Sequence, residues 1–146
     1  MRTPASFAGH PVHPLLIVFP VGLFIFSLIC DVISLFSINV GMWAAIAFVS
    51  MAGGFIGALA AAIPGFIDYL SISDPGTKKI ATFHMALNLT AVVLYGINIW
   101  MRMHATGPSS TPLILSIVSV GILGISGWLG GSLVYKHGVG VNVDKP

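Results

Sequence analysis

The chain has 146 residues, of which 56% are hydrophobic and 7% charged, with a formal net charge of +2 and a mean hydropathy of +1.00. Soluble domains carry about 25% charged residues, so this composition excludes a water-soluble globular domain, and so few cations exclude a nucleic-acid binder. The length suits a single domain, 1–146, and at roughly 20 apolar residues per crossing four membrane spans use up most of it.

The first predicted span covers about 14–36. Pro11 and Pro14 suit a helix start, where a missing N–H costs nothing, and Pro20 is expected to kink the span by freeing the Leu16 carbonyl. Arg2 resembles a short signal n-region. The apolar run is too long for a signal peptide, however, and no small-x-small site follows it, so the segment is expected to remain as a span. The single cysteine, Cys30, lies in this run. It permits no internal disulfide and no CxxCH haem attachment, and reads as a small core residue.

The second span is predicted at about 42–63, with Pro64-Gly65 bending the helix before an interfacial turn over 66–70. Asp74-Pro75-Gly76 marks a turn. The third span is predicted at about 80–101, and the fourth at about 113–135 after the Gly107-Pro108-Ser109-Ser110 loop, with a short polar tail at 136–146. Short links make neighbouring helices antiparallel, giving an all-α integral membrane four-helix bundle of up-down-up-down topology. Both termini then share one side with Arg2, Lys78, Lys79, Lys136 and Lys145, while the other side carries only Arg102. The positive-inside rule places both termini in the cytoplasm, as a multi-pass protein of the prokaryotic inner membrane.

Small residues recur at close-packing intervals: Gly53, Gly57 and Ala61, with Gly54, Ala58 and Ala62 beside them, and on span four Gly124 with Gly131 and Gly127 with Gly130. Such rows let helices approach closely, which is the first reading; room for a flat cofactor between helices is the second.

The topology sends ionisable groups from all four helices to the cytoplasmic end. His10 and His13 stand at the start of span one, and His84 lies about 6 Å below the end of span three. His137 follows span four and Asp68 sits at the foot of span two. His104 lies at the opposite surface. A single interfacial histidine often does no more than bind headgroups and water. Four histidines with a carboxylate, on a chain this poor in polar groups, point to a shared site. Neutral imidazole is the commonest metal ligand and commonly donates its second nitrogen to a carboxylate or carbonyl, a role Asp68 fits for His84 or His137. Lys78, Lys79 and Lys136 suit haem propionates. No HExxH or CxxC signature is present. Asp31, near the outer end of span one, is expected to pair with Arg102. Asn88, Thr90, Tyr95 and Asn98 are expected to hydrogen-bond between helices, and Trp43 and Trp100 to belong to an outer aromatic belt.

The segments Gly9-His10-Pro11-Val12-His13-Pro14, Pro20-Val21-Gly22-Leu23, Pro64-Gly65-Phe66-Ile67-Asp68-Tyr69, His84-Met85-Ala86-Leu87-Asn88, Gly127-Trp128-Leu129-Gly130-Gly131 and Tyr135-Lys136-His137-Gly138-Val139-Gly140-Val141 together resemble the domain of unknown function 2231 family. The resemblance covers nearly the whole chain and implies a four-span bacterial or archaeal membrane protein. The family name brings no activity with it. Relatives of this type beside redox modules imply, by association, a place in electron transfer.

Three functions are weighed. The first is a b-type haem protein transferring electrons, with axial ligands among His10, His13, His84 and His137 and a quinone or redox protein as partner. The second is a non-haem zinc, iron or copper site on the same residues. The third is a structural or assembly subunit without cofactor. No nucleophile stands beside a base, which argues against hydrolysis. The sequence leaves a homo-oligomer open.

Overall fold

The computed structural model describes residues 3–107 and 109–141. Arg2, Pro108 and Lys145, used above for the leader, a loop and the charge asymmetry, lie outside them. The chain forms a minimal β-hairpin, β1 (Ser6–Phe7) and β2 (His10–Pro11), and then four helices: α1 (Val12–Ser34), α2 (Val40–Ser71), α3 (Pro75–Met103) and α4 (Thr111–Tyr135). All four are long and apolar enough to cross a membrane. Each puts large apolar side chains on the outside: Val18, Phe19, Ile56, Ile63, Val93, Ile125 and Trp128 are all exposed. Helices apolar on their outer faces, with every backbone bond made internally, are what a bilayer selects. The chain is an all-α membrane helical bundle.

α2 continues through Pro64 to Ser71. Its 32 residues measure about 48 Å, longer than a hydrocarbon core of about 30 Å, so the helix has turns to spare, its last ones over 66–71. Those turns carry Asp68. Its Oδ1 accepts the Ala5 N–H at 2.9 Å and so fastens the N-terminal hairpin to the foot of α2. The hairpin turns at Ala8 (φ 50°) and Gly9 (φ 81°), two left-handed residues as a tight two-residue turn requires. Residues after α4 fold back on this end, where a Cβ on Gly140 (φ 79°) would sit 3.3 Å from the Pro11 ring. α3 begins with Asp74 as N-cap, its Oδ2 accepting from Thr77 N at 2.8 Å, and with Pro75 in the first turn.

α1 packs along α2 and α3 along α4, making two hairpins with thinner contacts between them. Glycines set the closest approach inside the first hairpin. An added Cβ at Gly54 would meet the Phe24 ring at 2.9 Å, and those at Gly53 and Gly57 would crowd Leu23 and Phe19. These positions hold helix packing. On α4, Gly130 also meets a ring, but Gly124, Gly127 and Gly131 meet nothing within 4 Å.

Across the middle of the bundle α1 and α3 meet only through side chains, and those contacts repeat. Asp31 faces Arg102, 71 residues away. Phe24 stacks on Tyr95 and His13 stands against His84, and both pairs keep the same interval. Hydrogen bonds to the outer helices correspond as well. Ser27 Oγ donates to Ala47 O at 2.7 Å, and at the equivalent place Asn98 Nδ2 donates to Pro112 O at 2.8 Å. The buried residues of α4, Ser116, Ser119, Ser126 and Leu133, occupy the positions equivalent to Met51, Gly54, Ala61 and Asp68, all buried on α2. A residue that meets its own equivalent at every level marks an isologous contact. The two hairpins are thus internal repeats about an approximate two-fold axis parallel to the helices.

Candidate functional site

At one end of that axis lie His13 and His84. Their ring centroids are 6.3 Å apart and their planes cross at 87°. Each ring is held by the outer helix of its own hairpin. His13 Nδ1 donates to Ala61 O of α2 at 2.8 Å, and His84 Nδ1 donates to Ser126 O of α4 at 2.8 Å. In both hairpins the residue one turn beyond that carbonyl is a glycine lying against the ring. An added Cβ at Gly65 would come 2.7 Å from His13 Nδ1, and one at Gly130 would come 3.0 Å from His84 Cε1. Glycine is what lets an imidazole lie on the backbone of a neighbouring helix.

A carbonyl oxygen only accepts, so Nδ1 carries a proton in both rings, and in a neutral ring Nε2 holds the lone pair. An Nδ1–H fixed on a backbone carbonyl is the usual support of a ligating histidine, because it sets tautomer and ring orientation together. Ser126 Oγ reinforces the second ring, 3.0 Å from His84 Nδ1 and 3.2 Å from His84 O. Asn88 Nδ2 stands 3.1 Å from His84 Nε2.

The other histidines do not join this pair. His10 is exposed on the β-hairpin and its Nδ1 bonds to Ala8 O at 3.1 Å. His137 is exposed beyond α4, with Nδ1 3.1 Å from Thr77 Oγ1. The Thr77 hydroxyl gives its proton to Asp74 Oδ2 at 2.7 Å, so it accepts from His137. The backbone N–H of Thr77, aided by its hydroxyl, holds the Asp74 carboxyl below the usual carboxylate range. Asp68, read from the sequence as an acceptor for His84 or His137, instead takes the Ala5 N–H. Among the described residues no three His, Cys, Asp or Glu side chains converge as a metal site. Lys78 is turned to Tyr69, with Nζ 2.9 Å from its carbonyl and 4.3 Å from its ring centroid. Lys79 and Lys136 are exposed near the same end.

The opposite end of the axis is ionic. Arg102 Nη1 and Nη2 hold Asp31 Oδ1 and Oδ2 at 2.8 and 2.6 Å, a bidentate pair, and Arg102 Nε donates to Asn98 Oδ1 at 2.8 Å. Asn98 also donates to Ser116 Oγ of α4 at 2.9 Å. Asn98 is therefore a helix-to-helix bond, whereas Thr90 bonds Ala86 O within its own helix and Asn88 bonds a ring on its own helix. The Tyr95 hydroxyl is buried with no partner among the described residues. His104 bonds the Trp100 carbonyl at this end and stacks on its indole.

The sequence alone did not disclose the repeat. The signal was there: aligning His13 on His84 also aligns Leu16 with Leu87, Val21 with Val92 and Leu23 with Leu94, and a second alignment of the outer helices, six residues shorter in offset, puts Gly65 on Gly130. The positions on the axis hide it, because chemistry is exchanged there, as in Asp31 for Arg102 and Phe24 for Tyr95.

No curated protein and no solved structure matches the chain. Its residues 9–143 match the family model described as a predicted membrane protein, DUF2231, and the chain belongs to that family.

Proposed function

We propose that this protein is a membrane-embedded b-type haem protein that transfers electrons, in which His13 and His84 would hold the haem. The observation that carries the reading is the His13–His84 pair itself: two imidazoles on the axis between two hairpins, 6.3 Å apart, each with Nδ1–H committed to a backbone carbonyl. The donor set favours haem over zinc or another bare ion. A structural zinc takes four ligands, and among the described residues two imidazoles come together here without a third candidate ligand. Haem brings four nitrogens of its own and asks the protein for two. When bound it supplies a reversible one-electron couple.

The residues of the chain hold the two rings in place and keep both lone pairs directed by backbone contacts. Both rings are half-buried among apolar helices, surroundings that favour a cofactor with little net charge. Lys79 and Lys136 at the same end suit propionates or an anionic redox partner, and a quinone from the bilayer or a soluble redox protein is the partner class. Lys78, Lys79 and Lys136 on the terminal side, against an Arg102 already neutralised by Asp31, support cytoplasmic termini in a prokaryotic inner membrane.

Visible spectra of the purified protein, oxidised and reduced, test the reading. A Soret band and a sharp α band on reduction are expected, and the His13→Ala/His84→Ala double variant should be colourless. A colourless wild type with stoichiometric zinc or copper sinks it in favour of a bare-metal site. With no metal either, the pair is helix packing. Haem at full occupancy in the double variant shows that other ligands hold it.

A further inference from the structure

Among the described residues every lysine stands on the second hairpin: Lys78 and Lys79 at the start of α3, and Lys136 just after α4. Residues 3–71 contain none. The His137–Thr77 bond at 3.1 Å ties the two helix ends together. Gly138, left-handed at φ 64°, closes α4 by letting the Val139 N–H reach Leu133 O at 2.9 Å, so Lys136 leaves from a fixed turn. Lys79 and Lys136 are exposed, and the Asp74 carboxylate close by is engaged by Thr77. The Asp31–Arg102 pair is the one salt bridge among the described residues, so no carboxylate there neutralises either lysine.

A bare helix face leads up to this charge. Gly121, Gly124, Trp128, Gly131 and Tyr135 follow one another at alternating intervals of three and four, which puts them on one side of α4. Trp128 and Tyr135 are 77% and 90% exposed, and a Cβ on any of the three glycines would meet nothing within 4 Å. The equivalent stripe on α2 is Ile56, Leu59, Ile63, Phe66 and Leu70, all large and exposed. Glycine weakens a helix relative to alanine, and these three serve no contact within the chain.

We propose that this face of α4, from Gly121 to the Lys79–Lys136 cluster, holds one anionic phospholipid of the leaflet on the side of the termini. The phosphate meets the two lysines, and the Tyr135 hydroxyl marks the headgroup level. An acyl chain lies along the glycines beside the Trp128 indole. The stripe rises about 21 Å, enough for the roughly 15 Å of one leaflet. Charge selects the lipid over a second copy of the chain. Copies share one orientation in the membrane, so joining these faces about an axis along its normal brings Lys136 against Lys136. α4 has no carboxylate to place between them. The site is apart from the histidine pair and stands whatever those rings hold.

The test is native mass spectrometry of the delipidated full chain in detergent, offered equal amounts of phosphatidylglycerol and phosphatidylcholine. Wild type should retain one phosphatidylglycerol, preferred by about fivefold for each lysine it meets. Lys79→Gln/Lys136→Gln, two changes at exposed positions, should retain both lipids alike. Gly121→Ile/Gly124→Leu gives α4 the residues of α2 and should lower retention of either lipid, with phosphatidylglycerol still preferred.

Equal retention of the two lipids by wild type overturns the proposal, as does a preference that survives loss of both lysines. Unchanged retention in Gly121→Ile/Gly124→Leu overturns it as well, since the acyl chain then lies elsewhere. A lipid-free wild-type dimer that the same glycine variant turns into monomer assigns the face to a second copy instead. Melting curves check that each variant is folded; should the glycine variant fail to fold, the lysine variant decides.

Discussion

Asp31 and Arg102 occupy the same position in the two hairpins and meet across the axis as a bidentate pair, with Arg102 Nη2 2.6 Å from Asp31 Oδ2. The pair is well enclosed, with side-chain exposures of 14% for Arg102 and 8% for Asp31. Removing one partner therefore strands a charge. Arg102→Leu is expected to destabilise the fold by about 3–5 kcal/mol. Because the two sites are equivalent, the exchange Asp31→Arg/Arg102→Asp should recover a large part of that loss. Thermal unfolding in detergent checks both, and an exchanged variant no better than Arg102→Leu would count against the two-fold relation.

Gly65 and Gly130 give the rings their place. A methyl at Gly65 would press on His13 Nδ1 at 2.7 Å, and one at Gly130 on His84 Cε1 at 3.0 Å. Gly65→Ala is expected to cost about 1–3 kcal/mol by overpacking and to lower haem occupancy. Gly130→Ala should act in the same direction but less. Gly124→Ala, with nothing within 4 Å, serves as the control and should hold or gain stability through helix propensity. Melting temperature and the Soret-to-protein ratio are the measurements.

The ring stack of Phe24 on Tyr95, with centroids 3.7 Å apart and planes within 5°, buries a hydroxyl that has no partner among the described residues. Tyr95→Phe keeps the stack and removes that group. An unmet buried hydroxyl costs about 1–3 kcal/mol, so the variant should melt higher than wild type. A lower melting temperature would mean that an ordered water satisfies the hydroxyl in the membrane.

Asp74 sets the pH dependence of the start of α3. Its carboxyl is held low by the Thr77 N–H and hydroxyl. A folded-state pKa below the unfolded one adds stability that is fully present above the unfolded value, about 3.9 for Asp. That contribution disappears as pH falls through the depressed folded value. Asp74→Ala should therefore melt below wild type at pH 6, and the gap should close as pH drops below 3.9. Paired melting curves over that range test it. His137, bonded to the same Thr77, should lose its hydrogen bond to that hydroxyl if Thr77→Val is made, which its imidazole NMR shifts would show.

Sequence alone determined the solvent and the elements. Four long apolar runs with almost no charge can satisfy their backbones in a bilayer only as helices, and short links force an up-down course, because both depend on local composition and chain length. The polar residues were also legible as exceptions: on so apolar a chain Asp31, Arg102, His13 and His84 each need a partner. The tertiary structure decided which partners they found. It separated His10 and His137 from His13 and His84, turned Asp68 to the Ala5 N–H, and set Asn88 on one imidazole and not on the other. Those outcomes depend on the rotation and register of four helices. Neither is fixed by hydropathy, since lipid rewards every apolar face alike and leaves helix contacts to close packing and hydrogen bonds. The two-fold axis that brings Asp31 to Arg102 and His13 to His84 belongs to that level. It exists in the contacts between residues 71 apart, and no single stretch of the chain contains it.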